Sequence, residues 1–287
     1  MTVKILSDSA CDLPEDILEE YNIDILPIVL IKDDKEYLDK VTIQPKTIYD
    51  DMRNGDMYKT AQIPPQIFQE KFTEYAKNNE DVIYIAFSSG LSGTYQTSIF
   101  VKSSIVEEYP DFNLDIVDSK AATSGFGLMV AEAGKMAKEG KSKEEILNML
   151  EFYRNHIEHI FTVDDIEYLF MGGRVTRTQA FIGGLLNIKP VLNIEEGKLV
   201  PLEKIRGKNK VLKTMLNIME DRAINADLKN QTIGISHGDD LESALKLKEM
   251  ISEQYGTTNF LINIIGASIG AHSGPGTLAI TFLNKKH

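Results

Sequence analysis

Short runs of apolar, often β-branched residues recur along the chain, and segments with apolar residues every three to four positions separate them. Val3–Ser7, Ile25–Ile31, Val82–Phe87, Leu114–Val117, His159–Val163, Lys189–Ile194, Thr232–Ser236 and Phe260–Ile265 read as strands. Most are too short and too uniformly apolar to be half-exposed, so they read as strands covered on both faces. Pro14–Tyr21, Pro65–Lys77, Thr94–Glu108, Ala121–Lys138, Lys143–Asn155, Lys208–Ala226 and Leu241–Tyr255 carry the helical period. Alternation of this kind predicts an α/β fold, a largely parallel sheet with helices on both faces, plus a second α/β domain.

With 287 residues the chain is long enough for two domains. A boundary is expected near residue 155. Residues 1–155 then form an N-terminal domain of repeated βα units, and 156–287 a C-terminal domain. In the latter, Lys189–Ile194, a Glu196-Gly197 turn and Lys198–Leu202 read as a hairpin.

Charge narrows the partners. Asp and Glu number 43 against 31 Lys and Arg, a formal charge of −12, which speaks against nucleic acid because phosphate binding needs a basic footprint. The exception is 172–213, where nine Lys or Arg face three Glu. That stretch reads either as a solvated face or as a docking patch for an acidic partner or a phosphate. Cys11 is the only cysteine, which rules out an intramolecular disulfide and a four-thiolate zinc site. The N-terminus lacks a signal-peptide apolar core, and the nearby IDILPIVLI is too short to span a bilayer. No transmembrane segment and a cytoplasmic location are expected.

Four segments can carry chemistry. The loop Ser88-Ser89-Gly90-Leu91-Ser92-Gly93-Thr94 follows a strand and opens a helix. Such a loop is either an anion site of N–H groups and hydroxyls or a capped turn. Ser7-Asp8-Ser9 and Asp118-Ser119 share the layout, and three such loops on one sheet edge would converge on one crevice. Gly266–Thr277 surrounds His272 with glycines, which reads as a flexible loop whose imidazole can donate to a bound oxygen. Thr60-Ala61-Gln62-Ile63-Pro64-Pro65 reads as a helix cap or as one more hydroxyl for an oxyanion. In Gly172-Gly173-Arg174-Val175-Thr176-Arg177, glycines either place an arginine or form a surface loop.

Other chemistries find no pattern. No Gly-rich run ends in Gly-Lys-Ser or Gly-Lys-Thr, and Gly125, Gly127 and Gly134 miss the dinucleotide spacing. Gly90-Leu91-Ser92-Gly93 is one residue short of a nucleophile elbow. His156 and His159 have no third metal ligand nearby in the sequence, so neither a metal nor an organic cofactor is expected.

Taken in order, Ser7-Asp8-Ser9 with Asp12-Leu13-Pro14, the SSGLSGTY loop, Asp118-Ser119, GGR, LLNIKPVL, KIRGKNK and GAHSGPGT resemble the motifs of DegV proteins, and they span almost the whole chain. The family resembles the fatty-acid-binding (FakB-type) subunits of bacterial fatty acid kinase. The resemblance implies a lipid-binding carrier with no catalytic residue of its own, a two-domain α/β protein that buries a long-chain fatty acid of the palmitate or oleate class. A separate ATP-dependent kinase subunit would phosphorylate the carboxylate to acyl phosphate for phospholipid synthesis. Residue by residue, the family's head-group ligands fall on Thr60, Ser92 and His272, with support from the Gly93 and Thr94 amides. Its kinase-docking surface would include Arg206, with Arg174 and Arg177. Around the threonine, Ala61 replaces the family's serine and Ile63 separates Gln62 from Pro64.

The chemistry agrees with that resemblance. Hydroxyls and an imidazole N–H suit a carboxylate. Burying about 14 methylenes of a 16-carbon tail at about 0.8 kcal/mol each gives roughly 11 kcal/mol gross, so the tail sets affinity and the polar cluster sets orientation. The alternative is an acyl or phosphoryl transferase with Ser92 as nucleophile and His272 as base.

Overall fold

The computed structural model describes residues 3–176 and 188–286. Two sheets dominate. The first has the order β2-β1-β6-β7 and is parallel throughout, from β1 (Lys4–Asp8), β2 (Asp24–Leu26), β6 (Val82–Ala86) and β7 (Leu114–Asp118). Every residue of β6 is buried, as its continuous apolar run requires. Its helices are α1 (Glu15–Glu20), α3 (Pro65–Lys77), α4 (Thr94–Glu108), α5 (Thr123–Lys138) and α6 (Lys143–His156). Pro65 starts α3, and Ser142 with Glu145 forms a reciprocal capping box at α6.

The predicted strand Ile25–Ile31 is two strands. Pro27 has no N–H to give to a ladder and breaks the run. Before it, β2 joins the first sheet. After it, β3 (Val29–Lys32) pairs antiparallel with β4 (Lys35–Leu38) and β5 (Lys59–Ala61) in a small three-stranded sheet, with α2 (Pro45–Arg53) inserted.

The second sheet has the order β10-β9-β8-β13-β11-β12. Its strands are β8 (Ile157–Thr162), β9 (Ile188–Glu195), β10 (Lys198–Arg206), β11 (Ile233–His237), β12 (Phe260–Ile264) and β13 (Leu278–Leu283). This sheet, in the second half of the chain, is mixed. Only β11 and β12 pair parallel, and the other four pairings are antiparallel. The expected hairpin is present, and its second strand runs on to Arg206. Helices α7 (Glu167–Met171), α8 (Lys208–Arg222), α9 (Leu241–Tyr255) and α10 (Ala267–Ser273) complete the described chain.

The strands sort by sheet on either side of residue 155. The core does not: Phe161, Leu192, Leu199 and Ala279 share one buried cluster with Ile5, Ile85 and Phe126. Helix α5 joins the layers, lying against β1 on one side and against β8, β11, β12 and β13 on the other. Close approach needs small residues. A Cβ on Gly125 would sit 2.2 Å from His159 Nε2, so glycine is required there.

Candidate functional site

The serines at the first sheet's carboxyl edge mostly serve the scaffold. Ser7 Oγ donates to the Ile85 carbonyl at 3.0 Å, Ser88 Oγ to the Gly197 carbonyl at 2.7 Å, and Ser9 Oγ to Asp39 at 2.9 Å. Asp118 accepts from the Ser89 and Lys120 amides at 3.0 and 3.2 Å. Asp8 accepts from Phe87 N at 2.8 Å, Tyr84 Oη at 3.1 Å and Ala10 N at 3.2 Å, and burial pushes its carboxyl up to about 7. The three loops therefore brace one another, and their hydroxyls do not converge on a shared anion as the sequence suggested. Of these serines, Ser92 reaches the cavity described below.

His272 lies on helix α10, not in a flexible loop as expected. Two buried carboxylates hold the start of that helix. Asp12 accepts from Gly266 N at 2.8 Å, and Asp39 accepts from Ala267 N at 3.1 Å and Ser268 N at 3.2 Å. Tyr49 Oη donates to the Ile265 carbonyl at 3.1 Å. The carboxylates satisfy amides that a helix start leaves open. Together these bonds also fix which face α10 presents. Ser268, Ile269 and His272 follow the spacing of one helical face, and with Ile265 just before the helix they line a cavity of about 170 Å³.

Most of the lining is apolar, and Thr60, Ser92, His272 and Arg174 bring a polar cluster to it. Phe87, Leu91, Phe161, Leu169, Ile194 and Leu199 supply apolar wall, drawn from both sheets and the segments beside them. Within that cluster, Thr60 Oγ1 and His272 Nε2 are 2.7 Å apart. Thr60 sits on β5, paired with Leu30, and not in a helix cap. Ser92 Oγ lies 3.0 Å from Thr94 Oγ1 and accepts from Thr94 N at 3.3 Å. The Thr94 amide is thus already used, and Thr94 acts through Ser92. Gly93 also lines the cavity, packed so closely on Gln62 that a Cβ would lie 2.2 Å from Oε1. Ile63, the residue that lengthens this loop, is fully buried, and its amide donates to Thr94 Oγ1 at 3.4 Å.

These bonds set which protons face the cavity. Burial, with the charge of Arg174 nearby, pushes the His272 imidazole down to about 3, so it is neutral at pH 7. A neutral imidazole with its proton on Nε2 donates to Thr60 Oγ1, and the Thr60 hydroxyl proton is then free for a ligand. Thr94 repeats the arrangement. Its Oγ1 accepts from Ile63 N and shares a hydrogen bond with Ser92 Oγ in which either hydroxyl can donate; with Thr94 as donor, the Ser92 proton is free. Two hydroxyl donors in a mostly apolar cavity suit an anionic oxygen pair.

Arg174 departs from its expected place on a docking surface. It is half-buried and lines the cavity. Its Nε donates to the Leu91 carbonyl at 3.1 Å and its Nη1 to the Gly172 carbonyl at 2.6 Å. Burial lowers its pKa from the usual arginine value. The GGR motif therefore places a guanidinium beside the hydroxyls. Arg206 is exposed at the end of β10. Arg177 lies outside the described residues.

A nucleophile needs its base within hydrogen-bond reach. Here Ser92 is bonded to Thr94 and His272 to Thr60, so the pair required for the transferase alternative is not assembled. Among the described residues, no group of three or more His, Cys, Asp or Glu can hold a metal ion, and no helix is long and apolar enough to cross a membrane.

Residues 2–285 match the model of the DegV family, described as uncharacterised protein. A DegV domain-containing protein of Clostridium perfringens is 42% identical over 282 residues, covering 97% of this chain and 96% of that protein. Among solved structures, a DegV family protein of Thermus thermophilus described by its fatty acid binding has 29% identity and a TM-score of 0.87, over 98% of this chain and 99% of that one. A stearic-acid-binding protein of Eubacterium ventriosum has 26% identity and a TM-score of 0.90, over 97% of each chain.

Proposed function

The chain belongs to the DegV family, and from that membership and the geometry of the cavity we propose that it binds a long-chain fatty acid and presents the carboxylate to a separate ATP-dependent kinase. The observation that carries the reading is the Thr60–His272 pair, with Ser92, in a mostly apolar cavity. Thr60 and Ser92 each offer a hydroxyl proton to the carboxylate, His272 holds Thr60 in the donating orientation, and Arg174 supplies compensating charge. The tail lies along the apolar wall, where each buried methylene contributes about 0.8 kcal/mol. The absence of a nucleotide-binding motif in the sequence is why phosphoryl transfer is assigned to a partner. In this reading Arg206 docks the kinase, and the protein acts as a carrier in acyl phosphate formation. The fatty-acid-binding relatives from Thermus and Eubacterium support the ligand class.

Titration of Thr60→Val and Ser92→Ala with palmitate and oleate tests the reading. A hydrogen bond to a charged group contributes about 1.5–3 kcal/mol, so each variant is expected to bind roughly ten- to a hundred-fold more weakly. Wild-type affinity in both variants would remove the carboxylate from this site.

A further inference from the structure

One residue on the cavity face of α10 does not fit a purely hydrocarbon tail. The cavity-lining residues there are Ser268, Ile269 and His272, with Ile265 just before the helix. Ser268 stands among apolar residues, one turn from the histidine of the polar cluster. It is only 4% exposed, and its Oγ has no hydrogen-bond partner. Its amide is taken by Asp39, so its backbone is satisfied while its side chain is not. An unsatisfied buried hydroxyl is costly, whereas alanine at the same place would cost nothing.

Two other buried polar atoms at the cavity also lack partners, and each has a different setting. Ser273 is the last residue of α10, where its carbonyl accepts from Thr277 Oγ1 at 2.8 Å. His159 Nε2 points at Gly125, where a Cβ would lie 2.2 Å away, and this leaves no space for a ligand atom. Of the three, Ser268 is the one that lies one turn back from His272 on the cavity side of α10.

We propose that Ser268 is a specificity-determining residue that hydrogen-bonds an oxygen on the acyl chain, so the preferred ligand class is a hydroxylated long-chain fatty acid. The inference rests on the fatty-acid reading of the same cavity. Position follows from the helix. One turn advances about 5.4 Å along α10, and an extended chain advances about 1.2 Å per bond. The oxygen therefore sits about three to five carbons from the carboxyl carbon. A 5-hydroxy acid, whose hydroxyl is about four carbons from the carboxyl carbon, meets this requirement, and a hydroxyl at the far end of the chain does not.

Palmitate, 5-hydroxypalmitate and 16-hydroxypalmitate would be compared by calorimetric titration of wild-type protein and of Ser268→Ala and Ser268→Thr. Wild-type protein is expected to favour 5-hydroxypalmitate over palmitate by about ten-fold, the effect of one buried hydrogen bond. Ser268→Ala should remove that preference and leave palmitate affinity unchanged or improved. Ser268→Thr should keep the preference, since it keeps the hydroxyl, and 16-hydroxypalmitate should gain nothing. Equal binding of palmitate and 5-hydroxypalmitate by wild-type protein would overturn the proposal while leaving fatty acid binding intact. So would a preference that survives Ser268→Ala. Failure of all three acids to bind would instead overturn the fatty-acid reading beneath it.

Discussion

Gly172→Ala tests whether the placement of His272 governs the site. Gly172 ends α7 with φ −72° and ψ −11°, a conformation alanine adopts freely, so the backbone does not require glycine there. The side chain is another matter. A Cβ at 172 would lie 2.2 Å from His272 Nδ1 and 3.1 Å from the adjacent Cε1. Carbon contacts are favourable at about 3.5–4.0 Å, so the ring must retreat by roughly an ångström. The Cβ stands equally far from Cε1 and Cγ, so it pushes along the outward axis of Nδ1 and drives Nε2 toward Thr60 Oγ1, which is already 2.7 Å away; with no room in that direction, the ring must turn out of the hydrogen bond. Thr60 then loses the partner that orients its proton. The expected loss is about 0.5–1.5 kcal/mol, or roughly two- to twelve-fold in affinity for palmitate. The decisive assay is a double-mutant cycle with His272→Ala, read by fatty acid titration and thermal melting. Without the imidazole, the new methyl is free of that clash. Gly172→Ala should then leave affinity unchanged and stabilise the fold by about 0.4–1 kcal/mol through the unfolded chain. An equal loss of affinity in both backgrounds would refute the steric reasoning, because the effect could not then run through His272.

Two further outcomes are expected. Arg206→Glu should abolish most acyl phosphate formation by the reconstituted carrier and kinase while palmitate affinity stays at the wild-type value; parallel loss of both would place Arg206 in folding and not in docking. Asp12 is buried, and burial together with Asp39 and Asp8 outweighs Lys40 and pushes its carboxyl up to about 8. A raised folded-state value means that stability from this group is present below the unfolded value and is lost as pH rises through about 8. In Asp12→Asn the amide oxygen still accepts from Gly266 N, and asparagine tolerates the left-handed backbone at φ 53°. The melting temperature of Asp12→Asn relative to wild type should therefore climb between about pH 4 and pH 8. A difference that stays flat over that range would show that Asp12 does not titrate as described.

Much of the fold is legible in the sequence, and the parts that are not have physical causes. The parallel sheet follows from apolar runs such as Val82–Ala86, whose side chains are buried on both faces. The antiparallel character of the second sheet does not follow unless β13 is recognised as a strand. Its run, Leu278–Leu283, comes soon after Gly274, Pro275 and Gly276, and that turn signal with a buried apolar run is the clue that reveals it. The small sheet is hidden because β4 and β5 are short and largely polar. Helix α10 is hidden for a related reason. Its sequence, ASIGAHS, has weak intrinsic helix propensity, and its start is held by Asp12 and Asp39, which lie far away in sequence. Thr60, Ser92 and His272 are identified by their residue types and motifs, and the structure brings them to one cavity. Arg174 reads as a surface residue because a Gly-Gly-Arg segment gives no sign of where the arginine turns. Ser268 is inconspicuous among small residues, since its significance depends on a missing partner and not on any motif.

Native mass spectrometry of the freshly purified protein, followed by denaturing lipid extraction, tests the central claim most directly. The account predicts a stoichiometric adduct whose extracted mass is that of a long-chain fatty acid, and its loss or weakening in Thr60→Val. A clean protein mass that remains unchanged after incubation with palmitate, oleate and 5-hydroxypalmitate would contradict it.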